Sequence, residues 1–272
     1  MRRIIFGCIL TLCYTAVFAQ MKTDLALLNL KGSVKKWEMK LINPKDSLIL
    51  EHKITFFNSQ GFKTKEKNLG DVVLTQNFVY DEKGRLIKSF IEGDNNAIEY
   101  LYHTNSDGSL TVIHKYKAKD MPDIIVSENT YDKNGLLIIE KTEDESCEEG
   151  CEKLENSMNK YSHHYDEQGN LVEIRNELFN HESTKYINKY VDGKLVEQTE
   201  YMYGGKVVRT FDANGYPIKL EDFPPYGFGD GSVSAIKRWK NTVDDHGNVV
   251  KIEEFDDVNQ PSSIIKNSYE YY

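Results

Sequence analysis

One short pattern recurs often enough along this chain to dictate its architecture. An aromatic or apolar residue is followed by Asp or Asn, two polar residues, Gly, and an apolar pair. The pattern is complete at 80–87, 131–138, 165–172 and 211–218; weaker copies surround Gly61, Gly108 and Gly247, and a shortened one spans 190–196. Each copy has the chemistry of a β-hairpin. The Asp side chain caps the turn, and Gly three residues later supplies the positive φ that a type I turn with a G1 bulge requires. The turn residues are therefore Asp81 and Gly84, Asp132 and Gly135, Asp166 and Gly169, Asp212 and Gly215, Asp244 and Gly247, with Asp192-Gly193 as a two-residue type I′ version.

That geometry sets the residue before each Asp opposite the residue two after the Gly. The expected pairs are Tyr80 with Leu86, Tyr131 with Leu137, Tyr165 with Leu171, Phe211 with Pro217 and Val243 with Val249. From Gly61 the turn glycines follow at intervals of 23, 24, 27, 34, 24, 22 and 32 residues. Each interval holds two strands and a return turn, for which 93–96, 119–122, 180–182, 204–205 and 259–261 are candidates. An opening hairpin is expected around Asn43-Pro44-Lys45-Asp46, and residues 24–30 could form one short helix. In the strand after Asp192-Gly193, simple alternation sets Leu195 and Tyr201 on one face. The predicted fold is all-β: an antiparallel up-and-down meander of roughly 16 strands forming a curved or coiled sheet, since so many strands do not stay flat. Residues 20–272 read as a single β-hairpin repeat domain.

The beginning of the chain reads differently. Arg2 and Arg3 precede an uncharged apolar run from 4 to 17, and Val17 and Ala19 supply small residues ahead of Gln20. This is the layout of a signal peptide over 1–19, too short to span a bilayer, so the expectation is export to the periplasm, the cell surface or the medium. No transmembrane segment is expected. The formal charge of −9 becomes −11 once Arg2 and Arg3 are removed, which argues against nucleic acid as a partner.

Cys147 and Cys151 remain after cleavage, inside a loop that also holds Asp144, Glu145, Glu148 and Glu149. In an oxidising compartment a local disulfide is the first reading. A metal site with one of the neighbouring His163 and His164, or free thiols, are the alternatives. No cofactor is implied; calcium is the ion such carboxylates could hold, although their spacing is not that of an EF-hand.

The units Tyr80-Asp81-Glu82-Lys83-Gly84-Arg85-Leu86-Ile87 and Phe211-Asp212-Ala213-Asn214-Gly215-Tyr216-Pro217-Ile218 resemble the tyrosine–aspartate repeats of the RHS/YD-repeat family. The resemblance covers most of the chain and implies repeat architecture. In the large RHS proteins such repeats build a β-shell around a C-terminal toxin, and some YD segments are thought to bind carbohydrate. This chain is far shorter and has no Asp-Pro-x-Gly processing segment. It looks more like the small exported Bacteroidota members of the family.

No nucleophile elbow, zincin, Walker or dinucleotide motif occurs, so no catalytic residue is assigned. Two loops exceed the repeat unit by about ten residues, and both fall at return turns. One is the acidic cysteine loop; the other, 223–232, contains Tyr226, Phe228 and Asp230. With Trp239, these loops form the expected recognition surface. Tyr100, Tyr102, Tyr161, Tyr165, Tyr201 and Tyr203 are a second aromatic set, either a sugar platform or cross-strand packing. The functional expectation is an exported non-catalytic binding or scaffold protein that presents its sheet to an envelope glycan or another protein. The alternatives are an immunity protein masking a toxin and a carboxylate-based hydrolase.

Overall fold

The computed structural model describes residues 23–119, 121–143, 158–177, 183–202, 204–225 and 232–272. The expected signal peptide, its cleavage site, the cysteine loop and Tyr226, Phe228 and Asp230 lie outside these residues. A single turn of helix, α1 (Asp24–Leu27), precedes the strands β1 (Val34–Ile42), β2 (Ile49–Phe57), β3 (Lys63–Leu69), β4 (Val73–Tyr80), β5 (Leu86–Ile91) and β6 (Ala97–Thr104). Next come β7 (Leu110–Lys117), β8 (Ile124–Tyr131), β9 (Leu137–Glu143), β10 (Met158–Tyr165), β11 (Leu171–Asn176) and β12 (Ser183–Val191). The last six are β13 (Lys194–Met202), β14 (Gly205–Phe211), β15 (Pro217–Phe223), β16 (Ala235–Val243), β17 (Val249–Phe255) and β18 (Pro261–Tyr271).

Every strand pairs antiparallel with its neighbours in sequence, and β1 also pairs with β18 from Val34↔Tyr271 to Ile42↔Ile264. The expected open curved or coiled sheet is thus corrected to a closed up-and-down barrel of 18 strands. Closure removes both sheet edges, which would otherwise expose unpaired backbone along β1 and β18. The strand count rises above the expected one partly because residues 70–72 form a return turn, joining Leu69 to Val73 across β3 and β4.

All five expected turn pairs are present, each beside a one-residue bulge. At each complete repeat, and at the weaker copy around Gly247, the Asp Oδ1 accepts two backbone N–H groups. For Asp81 these come from Lys83 and Arg85, for Asp132 from Asn134 and Leu136, and for Asp244 from His246 and Asn248. The bulges also overturn one reading of strand faces. Tyr190 pairs with Leu195 but Lys189 pairs with Glu197, so the strand slips by one and Leu195 and Tyr201 lie on opposite faces.

Two glycines show how the same turn can differ in tolerance. Gly84 (φ +76) would place a new Cβ 2.9 Å from the Phe62 ring, whereas Gly135 (φ +81) has nothing within 4 Å. Both require a left-handed residue, so Gly135→Ala should cost about 1–2 kcal/mol of unfolding free energy. Gly84→Ala should cost clearly more in the same urea titration, because a ring must also move.

The repeats are joined at the bulges. The carbonyl two residues after each turn Gly lies beyond the ladder to the next strand, and that strand supplies a side-chain donor. Tyr102 Oη donates to Leu86 O (2.8 Å), Tyr165 Oη to Leu137 O (2.8 Å), Asn188 Nδ2 to Leu171 O (3.1 Å) and Asn241 Nδ2 to Pro217 O (2.9 Å). At Val249 O both Asn267 Nδ2 and Tyr269 Oη donate. An unmatched carbonyl at these bends would cost a desolvation penalty; Tyr or Asn at this one register position removes it.

Among the described residues, the only sizeable apolar cluster lies at the closure seam. Leu25, Val34 and Phe57 are buried there against Leu30, Trp37, Tyr269 and Tyr271. Residues 23–33 cover this end of the seam. Leu25 N donates to Gly61 O (3.1 Å), and Asp24 Oδ2 accepts from Lys63 N (2.7 Å) and Tyr80 Oη (3.0 Å). Asn248, fully buried, accepts from Lys31 N (2.6 Å) and donates to Lys31 O and Tyr271 Oη (both 2.8 Å).

Candidate functional site

Following the register around the ring sorts the side chains into two chemically distinct walls. One carries Tyr80, Tyr100, Tyr131, Tyr165 and Tyr186, both tryptophans, and interspersed Asn, Ser and His. The other is dominated by Lys and Glu, as in Lys36, Glu38 and Lys40 of β1. In β12, Tyr186, Asn188 and Tyr190 are half-buried while Lys185, Ile187, Lys189 and Val191 are exposed. Burial raises the pKa of the Tyr102, Tyr131 and Tyr269 hydroxyls. The tyrosine wall is therefore the concave, enclosed one, and the Lys/Glu wall faces outward.

Eighteen strands enclose more space than side chains fill; barrels of this size leave an aqueous channel. Outside the seam, Val112 and Val249 are the only further buried apolar side chains among the described residues. With so few buried apolar side chains among the described residues, the interior is not a packed apolar core.

Several of its charged groups are paired. Arg209 Nη1 reaches Glu200 Oε2 (2.5 Å), and Tyr186 Oη donates to the other oxygen of Glu200 (3.5 Å). His163 Nε2 lies 3.2 Å from Glu140 Oε2. Trp239 Nε1 donates to Glu254 Oε2 (3.0 Å). Burial opposes ionisation of Glu254, but the Ser262 hydroxyl, the Trp239 indole and Lys237 outweigh it and hold the carboxyl below its usual range. His114 Nδ1 lies 2.7 Å from Ser127 Oγ with the Tyr100 ring edge-on at 4.8 Å, and burial lowers the His114 pKa, favouring neutral imidazole. A serine–histidine contact could suggest a nucleophile, but no carboxylate is hydrogen-bonded to the far nitrogen of His114 among the described residues. The pair reads as a satisfied polar contact in the wall.

The residues singled out from sequence fall in several places. Trp239 is half-buried on the inner wall. Of the aromatic set, Tyr100, Tyr102, Tyr161 and Tyr165 share the inner wall, with Tyr102 and Tyr165 holding bulge carbonyls, while Tyr201 is exposed on the outer wall and Tyr203 lies outside the described residues. His163 and His164 point to opposite walls, so one alone could join a site on either side. Asp144, Glu145, Cys147, Glu148, Glu149 and Cys151 are not described, but the strands that loop joins, β9 and β10, open onto the same rim as β15 and β16. Sequence reading missed His114, Ser127 and Asn129. Their period-2 alternation with the tyrosines was the available signal.

Three turn aspartates, Asp81, Asp166 and Asp244, are among the acid-sensitive groups. Burial raises the Asp244 pKa, but the Tyr271 hydroxyl (2.6 Å) and the N–H groups of Asn248 and His246 more than offset it, leaving the carboxyl below its ordinary value. Asp81 is lowered by the same balance, with Arg85 in place of the tyrosine. A depressed carboxyl contributes stability that is complete above its unfolded pKa of about 4 and is lost as pH falls through the lower folded value. The urea midpoint should therefore hold above about pH 5 and decline below about pH 4. Asp244→Asn should lower it at neutral pH and flatten the decline.

Neither wall suits hydrocarbon. The outer surface of a membrane barrel needs an apolar band, and a lysine at the bilayer midplane costs about 2–4 kcal/mol. Here charged residues occupy the outward positions of successive strands, as at Lys88, Lys115, Lys141, Lys189, Lys240 and Lys266. These outward charges interrupt the apolar band that a membrane barrel requires.

No known family profile and no curated protein matches the chain. Among solved structures it is similar to a porin-like protein from Bacteroides uniformis, with TM-score 0.42 and 12% identity over 88% of this chain and 99% of that one. It is also similar to the TcdB2–TccC3 assembly, with TM-score 0.38 and 13% identity over 82% of this chain and 12% of that one. A putative outer membrane lipoprotein-sorting protein domain from Vibrio parahaemolyticus matches with TM-score 0.23 and 12% identity, over 88% of this chain and 85% of that one. At these scores the likenesses carry no functional argument.

Proposed function

We propose that this is an exported, non-catalytic binding protein of the cell envelope whose hydrated lumen receives an uncharged polar partner, a glycan chain in the first instance. One observation carries the reading: the enclosed wall sets aromatic rings among Asn, Ser and Tyr polar groups, while several of its charges are paired off within the wall. Rings for stacking with a few polar groups between them are what sugar recognition uses. The YD-type repeat supplies the scaffold. A toxin-masking role is less well supported, because the lysine-rich outer wall would repel a basic toxin and leave only the acidic turns and loops to meet it.

Trp37 and Trp239 both line the lumen, so indole emission reports on it. A panel of neutral oligosaccharides should contain members that shift this emission saturably, and Tyr186→Ala should weaken them about tenfold, the loss of one good stacking contact. A panel without effect, or turnover in a glycosidase and esterase screen, would count against the reading.

A further inference from the structure

The outer wall does not share the negative charge of the chain as a whole. The formal charge is −9, yet Lys and Arg outnumber Glu on the outward positions of the strands, so the acidic excess lies in the turns and loops. The cations are also placed at a cost. Lys141 is directly opposite Lys160, Lys219 is opposite Arg238, and Lys251, Lys266 and Lys40 form an unbroken line across β17, β18 and β1 that ends at His52 on β2. Like charges directly opposite one another weaken a sheet. Nearby carboxylates relieve the ends of this line: Glu253 lies 2.8 Å from Lys251, and Glu38 is 3.0 Å from Lys40 and 2.9 Å from His52. Lys266, at the centre, is exposed and makes no ion pair among the described residues. A surface shaped only for solubility would alternate its signs here, as it does at Lys117 and Glu99.

We propose that this outer wall binds an anionic polysaccharide, with the Lys251–Lys266–Lys40 line as its centre. Adjacent strands are about 4.8 Å apart, so the line offers one cation per strand to a chain lying across them. Charge spacing of that order suits a linear polymer with an acidic group on successive sugars. A flat anionic bilayer would touch only a narrow sector of a convex wall whose cations run around the circumference. The site is separate from the lumen and does not depend on the lumen's ligand.

The test uses the mature chain and heparin as the probe. Binding is expected at low salt despite the acidic net charge, with an affinity that falls steeply as salt rises because counterions are released. Lys266→Glu should weaken binding by about tenfold, and weaken its salt dependence, while leaving the melting temperature unchanged or raising it by about 1–3 °C through relief of repulsion. Lys83→Glu, at the turn between β4 and β5, four or more strands from the line's centre, should bind as wild type does. The proposal is overturned if heparin does not bind, or if Lys266→Glu binds it as tightly as wild type. Equal or tighter binding to duplex DNA, or to vesicles rich in phosphatidylglycerol, would overturn the assignment to a polysaccharide.

Discussion

Asn248→Ala should lower the unfolding free energy by about 3 kcal/mol, whereas the same change at Asn170 should cost less than about 1 kcal/mol. Both residues follow a turn glycine in the repeat, and both donate a backbone N–H to the turn Asp. Only Asn248 also clamps the chain entering the barrel. Its side chain takes the N–H and the C=O of Lys31 and the hydroxyl of Tyr271, inside a site with no exposure. Alanine there strands several buried polar groups at once. Asn170 has only a long contact from its side chain to Asp166 (3.3 Å). Urea titrations of the two variants supply the comparison, and equal losses would mean that the seam has no special role.

Phe57→Ala should be as damaging, at about 3–5 kcal/mol. In a molecule with a large core such a loss is one among many. Here Phe57, 3% exposed, is one of only five buried apolar side chains among the described residues, and it meets Leu25 and Val34 where the ring closes. Its carbonyl also accepts the Tyr272 hydroxyl (2.6 Å), which ties the end of β18 to the end of β2 across β1. A cavity at this point loosens the N-terminal segment and the closing strands together. Thermal unfolding of Phe57→Ala beside Phe90→Ala, a half-buried outer-wall residue on β5, separates this effect from generic loss of area.

The hairpins were legible because their chemistry is local. Asp at the first turn position and Gly at the fourth fix a turn, a bulge and a pair such as Tyr80 with Leu86 without reference to the rest of the chain. Closure was not legible, since a repeat is the same whether its sheet is open or closed. The information lies only in the two end strands and in contacts such as Lys31 with Asn248, 217 residues apart. Strand faces were legible only up to the next bulge, which explains the misplacement of Tyr201. Trp239 shows the same limit of local reading. Its neighbours Arg238 and Lys240 are basic, but in a strand they point the other way, and the indole faces the lumen. The same alternation hid the two most informative surfaces: mixed charge along a strand reads as a thinly covered sheet until the register separates a tyrosine wall from a lysine wall.

Closure of the ring is the claim on which both walls depend, and zero-length cross-linking tests it without any substitution. Lys36 Nζ of β1 and Glu270 Oε1 of β18 are 2.9 Å apart across the seam; Lys117 Nζ and Glu99 Oε2 are 2.9 Å apart within one hairpin. Carbodiimide treatment of dilute protein, followed by peptide mass spectrometry of the monomer fraction, should find both isopeptide links at comparable yield. If the Lys117–Glu99 link forms and the Lys36–Glu270 link does not, the sheet is open and the barrel is wrong.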